Sequence, residues 1–253
     1  MEELVKGELV SLRRLTDDDY ELLVSWLDGQ AGGYANGGPV LCSGAEFKAE
    51  STRTGHTHLM IVSNDGTPVG ALSWRTLSYP GNFSIGLIIG ESQLWGRGHA
   101  ASAFGLLLQH LFHTLNAHRV EVTTGVYNQE TMKIVTRGLM TLEGILRDYA
   151  FVDGEYQDVA VCSLLRTEYE TLLARGAFGR HTSTVPAQEK QKALNSFLRF
   201  LTDTGDLHLH RIVSRRQTAT PPEADAPHPG ISDPRERPAG ENGAELSRAV
   251  RHG

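Results

Sequence analysis

Cysteine is scarce in this chain. Cys42 and Cys162 are the two present in 253 residues, far apart and without the spacing of a metal site. A reducing compartment therefore fits better than a disulfide framework, with buried or incidental thiols the default reading. Positive charge is not in excess either, because 24 Lys and Arg face 30 Asp and Glu for a formal net charge of -6. That balance gives no reason to expect a nucleic-acid or anionic-membrane surface, although a local basic patch stays open. No uncharged apolar run approaches a membrane-spanning length, and the opening Met1-Glu2-Glu3-Leu4-Val5-Lys6 lacks a basic stretch leading into an apolar core. The expected location is the cytoplasm.

What is present is enough for one sizeable core with an appendage, at 40% hydrophobic and 21% charged residues. Proline divides the chain. Six of ten prolines, Pro221, Pro222, Pro227, Pro229, Pro234 and Pro238, fall at the end among Ala, Gly and charged residues of both signs. Such a segment buries too little apolar surface to offset its ordering entropy. The expected organisation is a compact domain over 1–175, a helical extension over 176–216 and a disordered tail over 217–253. Within the extension, Leu194, Phe197, Leu198 and Leu201 repeat at helical spacing. That helix packs on the core, covers a cleft or meets a second copy of the chain, so a homodimer stays open.

Periodicity sets the order of elements. Glu8 to Leu15 alternate as a strand, and Thr16 before three aspartates caps a helix running to about Leu27. Gly29 to Gly44 reads as a loop, followed by a short helix over Ala45 to Thr52. His58 to Val62 and Val69 to Thr76 flank an Asn64-Asp65-Gly66 turn as a hairpin, and Phe83 to Ile89 form the next strand. A broad apolar face marks a helix from Arg97 to Leu115. A strand over Arg119 to Val126, a helix over Asn128 to Arg137, strands over Gly144 to Phe151 and Tyr156 to Leu165, and a helix over Thr167 to Ala174 complete the domain. The expectation is an α/β (α+β) fold, a mixed and mainly antiparallel twisted sheet of about seven strands flanked by helices.

The glycines between the fourth strand and the long helix carry the chemistry. In Trp95-Gly96-Arg97-Gly98-His99-Ala100, Gly96 and Gly98 allow a tight turn and close backbone approach. The helix that follows presents unpaired N–H groups and the positive end of its dipole, which suits an anion such as a diphosphate. A glycine-rich turn with no ligand is the competing reading.

Several separate motifs in this order resemble the GNAT superfamily of acyl-CoA-dependent N-acyltransferases, over about residues 7–170. Its signature Arg/Gln-x-x-Gly-x-Gly/Ala is kept here at Gly98 and Ala100, with Trp95 in the first place. The branch of ribosomal-protein N-terminal and small-amine acetyltransferases is the most similar. The likeness rests on Ile85-Gly86, the glycine turn, Leu115-Asn116-Ala117-His118-Arg119-Val120, Glu143-Gly144-Ile145-Leu146-Arg147-Asp148 and Asp153-Gly154-Glu155-Tyr156-Gln157-Asp158. By this resemblance the amides of Gly96, Arg97, Gly98, His99, Ala100 and Ala101 would hold the diphosphate of coenzyme A, with Arg97 adding a cation. The edge formed by Leu87, Ile88 and Ile89 would pair with the pantetheine arm as an added strand, and Asn128 would bond to the same arm.

The resemblance implies transfer of an acetyl group from acetyl-CoA, with no metal, to a primary amine of a small molecule, such as a natural product or antibiotic, or of a protein N-terminus. The tyrosine that commonly protonates the departing thiolate corresponds to Val135, and Arg137-Gly138-Leu139-Met140 stands where Gly-Phe is usual. This keeps three alternatives in view: a longer acyl-CoA donor, an aminoacyl-tRNA donor, and an acyl-CoA-binding module without catalysis. Glu91 and Tyr127 are the candidate acid and base groups, with Ser84 beside them; a solvated loop carboxylate is the plain reading of Glu91. His99 either assists the phosphate or is structural. His110 and His113 lie one turn apart without a matching Cys, Asp or Glu, so they define no metal site. His208 and His210 alternate as in a short strand, or belong to a solvated linker.

Overall fold

Thr16 fixes where the first helix begins. Its hydroxyl accepts from the Asp19 amide while the Asp19 carboxylate accepts from the Thr16 amide, a reciprocal cap that starts α1 (Asp17–Leu27). The computed structural model describes residues 3–178 and 185–215, so the stretch from 217 onward read as a disordered tail lies outside the described residues.

Eight strands build one sheet. They are β1 (Glu3–Lys6), β2 (Val10–Arg14), β3 (Thr57–Ser63), β4 (Pro68–Thr76), β5 (Asn82–Ile89), β6 (Arg119–Gly125), β7 (Thr141–Val152) and β8 (Glu155–Leu165). Their spatial order is β1-β2-β3-β4-β5-β6-β8-β7, and every neighbouring pair is antiparallel except β5 and β6. The strand beyond the seven expected is β1, four residues long, which pairs with β2 and is too short to show an alternation of its own. Helices α3 (Gly44–Arg53), α4 (His99–Gln109), α5 (Gln129–Thr136) and α6 (Arg166–Ala174) fall close to their expected places.

Two expectations within this unit are corrected. Gly29 to Gly44 is not all loop, because α2 (Gln30–Asn36) forms between Gly29 and a left-handed Gly37. Two internal glycines make α2 a poor helix on propensity, and tertiary packing through buried Ala31 supports it instead. The long helix starts at His99 rather than Arg97, since Gly98 takes a left-handed conformation, and its end widens into a π turn over His110–Thr114.

Strand alternation sorts the core onto two faces. Val10, Leu12, Leu59, Ile61, Ile85, Val120 and Ala160 join α4 residues such as Leu107 and Leu108, with Phe112 stacked on Tyr169. Met60, Val62 and Ala71 face the other way, against Leu23, Trp26 and Leu27 of α1.

The chain also contains a second unit, with α7 (Ala187–Asp203) and α8 (Leu207–Arg215) packed on one another. His208 and His210 therefore sit on a helix and not a strand. Asp206 caps it by accepting from the Leu209 amide, and this local bond settles a stretch whose alternation alone is ambiguous.

Candidate active site

The candidate site begins where two parallel strands separate. β5 pairs with β6 at Asn82, Phe83 and Ser84, opposite Arg119, Val120 and Glu121, and the pairing stops there. On its other edge β5 remains paired with β4 as far as Ile89. The Gly90 amide donates to Val69 and the Leu77 amide to Asn82, which fixes the phase of that antiparallel ladder from both ends. Ile88, opposite Ala71, therefore turns its backbone groups to β4, whereas Leu87 and Ile89 turn theirs toward the opening. The Ile89 carbonyl is occupied, because Trp95 donates its indole N–H to it at 2.9 Å. Of the three strand residues expected along an added arm, Leu87 and Ile89 face the opening and Ile88 does not.

Beyond β5 a short 3-10 turn, Ser92–Leu94, leads into the glycine turn. Gly96 and Gly98 have φ of 73° and 88°, a region that costs side-chain-bearing residues about 1–2 kcal/mol. A side chain at Gly96 would point into open space, so its backbone lies bare. Helix α4 then opens with no side-chain cap and no acidic residue in its first turn. The amides of His99, Ala100 and Ala101 have no earlier turn to receive them, and Arg97 is exposed beside them. His99 Nδ1 is buried without a hydrogen-bond partner. Bare donors, a dipole and one cation suit an anion, and they stand at the end of a strand edge left open beyond Ser84. An acyl-CoA joins a diphosphate to an amide-bearing arm, so these residues fit it.

Tyr127 and Asn128 lie across the opening, after β6. A Cβ on Gly125 would stand 2.2 Å from the Tyr127 ring, so the glycine lets that ring lie flat on the strand end. The Tyr127 hydroxyl donates to Gly33 O at 3.3 Å, and burial followed by the field of Asp153 raises its pKa. Asn128 caps α5 by accepting from the Thr131 amide at 3.1 Å, and its Nδ2 donates to Tyr34 O at 3.4 Å. Tyr34 meets Trp95 edge to face at 5.4 Å and lies 6.3 Å from Tyr127. Helix α2 thus reaches both sides of the opening. Tyr34 carries no signal of its own along the chain, since the two glycines before it break the helical pattern.

Glu91 follows β5 and accepts from Trp26 Nε1 at 3.2 Å, while Gln93 Nε2 lies at 3.5 Å from its other oxygen. Its carboxylate is exposed, yet one oxygen is held. Val135 is half-buried against the main core, and Ser84 is the last residue of the β5–β6 pairing. His113 bonds with the Tyr169 hydroxyl at 3.1 Å and His110 packs on Trp74, so that histidine pair is structural. Among the described residues no group of three His, Cys, Asp or Glu is placed to hold a metal, and no helix is long and apolar enough to cross a membrane.

Comparison with known proteins identifies the family of the domain. The acetyltransferase (GNAT) domain model matches residues 10–138. This protein belongs to the GNAT acetyltransferase family. An uncharacterized N-acetyltransferase, p20 of Bacillus licheniformis, is 26% identical over 180 residues, covering 66% of this chain and 98% of the relative. Among solved structures, spermidine N-acetyltransferase of Vibrio cholerae, in complex with CoA and spermine, superposes with a TM-score of 0.57 at 19% identity, over 64% of this chain and 98% of that one. A GCN5-related N-acetyltransferase of Brucella melitensis gives 0.54 at 21% identity, over 66% and 80%. These superpositions show a shared fold.

Proposed function

We propose that this protein transfers an acetyl group from acetyl-CoA to the primary amine of a small molecule. The observation that carries this reading is the opening between β5 and β6, which ends in the uncapped, glycine-framed start of α4. Leu87, through its N–H and C=O, and Ile89, through its N–H, offer strand-like bonds to the pantetheine arm. The amides from Gly96 to Ala101, with Arg97, hold the diphosphate, and Asn128 meets the arm from the α5 side. When bound, acetyl-CoA supplies an activated thioester. An acceptor that arrives as an ammonium first loses one proton to solvent; in the transfer a C–N bond forms, the C–S bond breaks, one proton leaves the amine nitrogen and one joins the thiolate.

The chain supplies groups for both protons. Glu91, two residues beyond the end of β5, takes the proton from the amine. Tyr127, a phenol protonated at neutral pH, turns its hydroxyl from Gly33 O to return one to the thiolate, in place of the tyrosine that Val135 replaces, and regains its own proton from solvent. Cationic amines suit the α1 to α3 side, where Glu46, Asp28 and Glu21 produce a negative field that, together with burial as the larger cause, raises the Cys42 thiol. A shared fold with an enzyme bound to CoA and spermine supports the same acceptor class.

Calorimetry with CoA and acetyl-CoA, followed by thiol release over a panel of amines, tests this. Gly98→Asp places a negative charge in the cradle and is expected to abolish CoA binding. Because that change also strains a left-handed position, Arg97→Ala provides a second measure, with affinity expected to fall about tenfold, or ~1.4 kcal/mol. Unchanged affinity in both folded variants rejects the cradle. Tight binding with no turnover on any amine would favour a binding module.

A further inference from the structure

Trp26 combines a place in the core with a polar contact beyond it. It lies on α1, 5% exposed, within the smaller core on the face opposite α4. Its ring crosses the backbone at Gly90 so closely that a Cβ there would stand 2.2 Å from the ring carbons Cδ2 and Cε2. The absence of a side chain at Gly90 brings the indole against the end of β5. From there Nε1 donates to Glu91 Oε1 at 3.2 Å, across 65 residues of sequence. A buried ring on a helix thus fixes one oxygen of an exposed carboxylate. Its other oxygen, Oε2, has the long contact of Gln93 Nε2 at 3.5 Å.

We infer that Trp26 is a positioning residue for the general base: its indole N–H holds Oε1 of Glu91 and leaves Oε2 directed to the acceptor amine. This rests on the reading of Glu91 given above. A free glutamate at a strand end samples several rotamers, whereas one oxygen held by a buried donor reduces that freedom before the amine arrives. The proton taken from the amine resides on Oε2 and is released to solvent after transfer, so the carboxylate is regenerated. Phenylalanine at 26 would keep a six-membered ring in the apolar site and remove the donor.

The experiment compares Trp26→Phe, Glu91→Gln and the double variant in the full chain, by steady-state kinetics with acetyl-CoA and an accepted amine, and by calorimetry with CoA. Trp26→Phe is expected to lower kcat about tenfold, with KM for both substrates and CoA affinity within twofold of the starting protein. Glu91→Gln is expected to lower kcat further, and adding Trp26→Phe to it to change nothing more. Multiplying losses in the double variant would make Trp26 structural only, and an unchanged kcat in Trp26→Phe would overturn the inference. Loss of CoA binding in the starting protein would instead reject the acetyl-CoA reading, so the two failures are distinguishable. If Trp26→Phe does not fold, Gly90→Ala, which pushes the ring from the strand end, is expected to give the same selective fall in kcat; a full kcat there overturns the proposal.

Discussion

The two faces of the sheet are held in different ways. Against α4 the core is a continuous run of aliphatic and aromatic side chains, from Val10 on β2 to Leu164 on β8. Against α1 the buried apolar set is small, and charge and polarity are interleaved with it. Arg13, on the α1 side of β2, makes a two-pronged contact with Asp19 at 2.5 and 2.9 Å, both side chains less than a tenth exposed. His58, on the same side of β3, lies among Tyr20 and Phe47 with Nδ1 buried and unbonded. The lesson is a division of labour. The proposed anion cradle stands on the hydrocarbon face, where close packing resists movement, and the proposed base and acceptor surface stand on the face whose cohesion depends on pH.

Truncation tests that contrast most strongly. Leu107→Ala, at a fully buried position on α4, is expected to cost about 4 kcal/mol in urea unfolding, and Leu23→Ala on α1 about 2 kcal/mol. Equal losses would show the two cores to be equally tight. The next effect is acid destabilisation through His58. Burial, and then the charge of His56, lowers its pKa from 6.5 to about 4. The unfolded chain therefore binds a proton from about pH 6.5 downward while the folded chain does so only near 4, so stability is full above that window and falls through it by about 3 kcal/mol. His58→Phe should flatten the decline between pH 6.5 and 4, and an unaltered slope would place the cause elsewhere.

Asp19 gives the smallest effect. Burial pushes its carboxyl up, but hydrogen bonds from Arg13 and Thr16 outweigh that and bring it from 3.8 to about 2. Its contribution is present above pH 4 and lost as pH falls toward 2, about 2 kcal/mol in all. Asp19→Asn should remove that limb and leave the higher one intact.

Much of this was legible in the residues, for identifiable reasons. Thr16 with its aspartates, the Asn64-Asp65-Gly66 turn and the two-residue spacing of the strands are local signals, and local signals place elements. The glycine turn was legible because Gly96 and Gly98 do what other residues resist. Helix α2 was not, since its glycines oppose a helix that tertiary contacts then impose. Tyr34 and Trp26 belong to the same class. Their roles come from partners 61 and 65 positions away, as Trp95 and Glu91 respectively, and no spacing along the chain encodes such a meeting. The phase that turns Leu87 outward and Ile88 toward β4 likewise depends on which strand lies alongside.

The early end of the β5–β6 ladder has an evolutionary consequence. The N–H and C=O of Leu87 belong to the main chain, so every substitution at that position except proline retains both groups. A ligand that lies along this edge is read by atoms that mutation scarcely reaches. Drift in the surrounding side chains leaves both groups in place wherever the fold is kept, and a solved structure that matches this chain at 19% identity shares that fold.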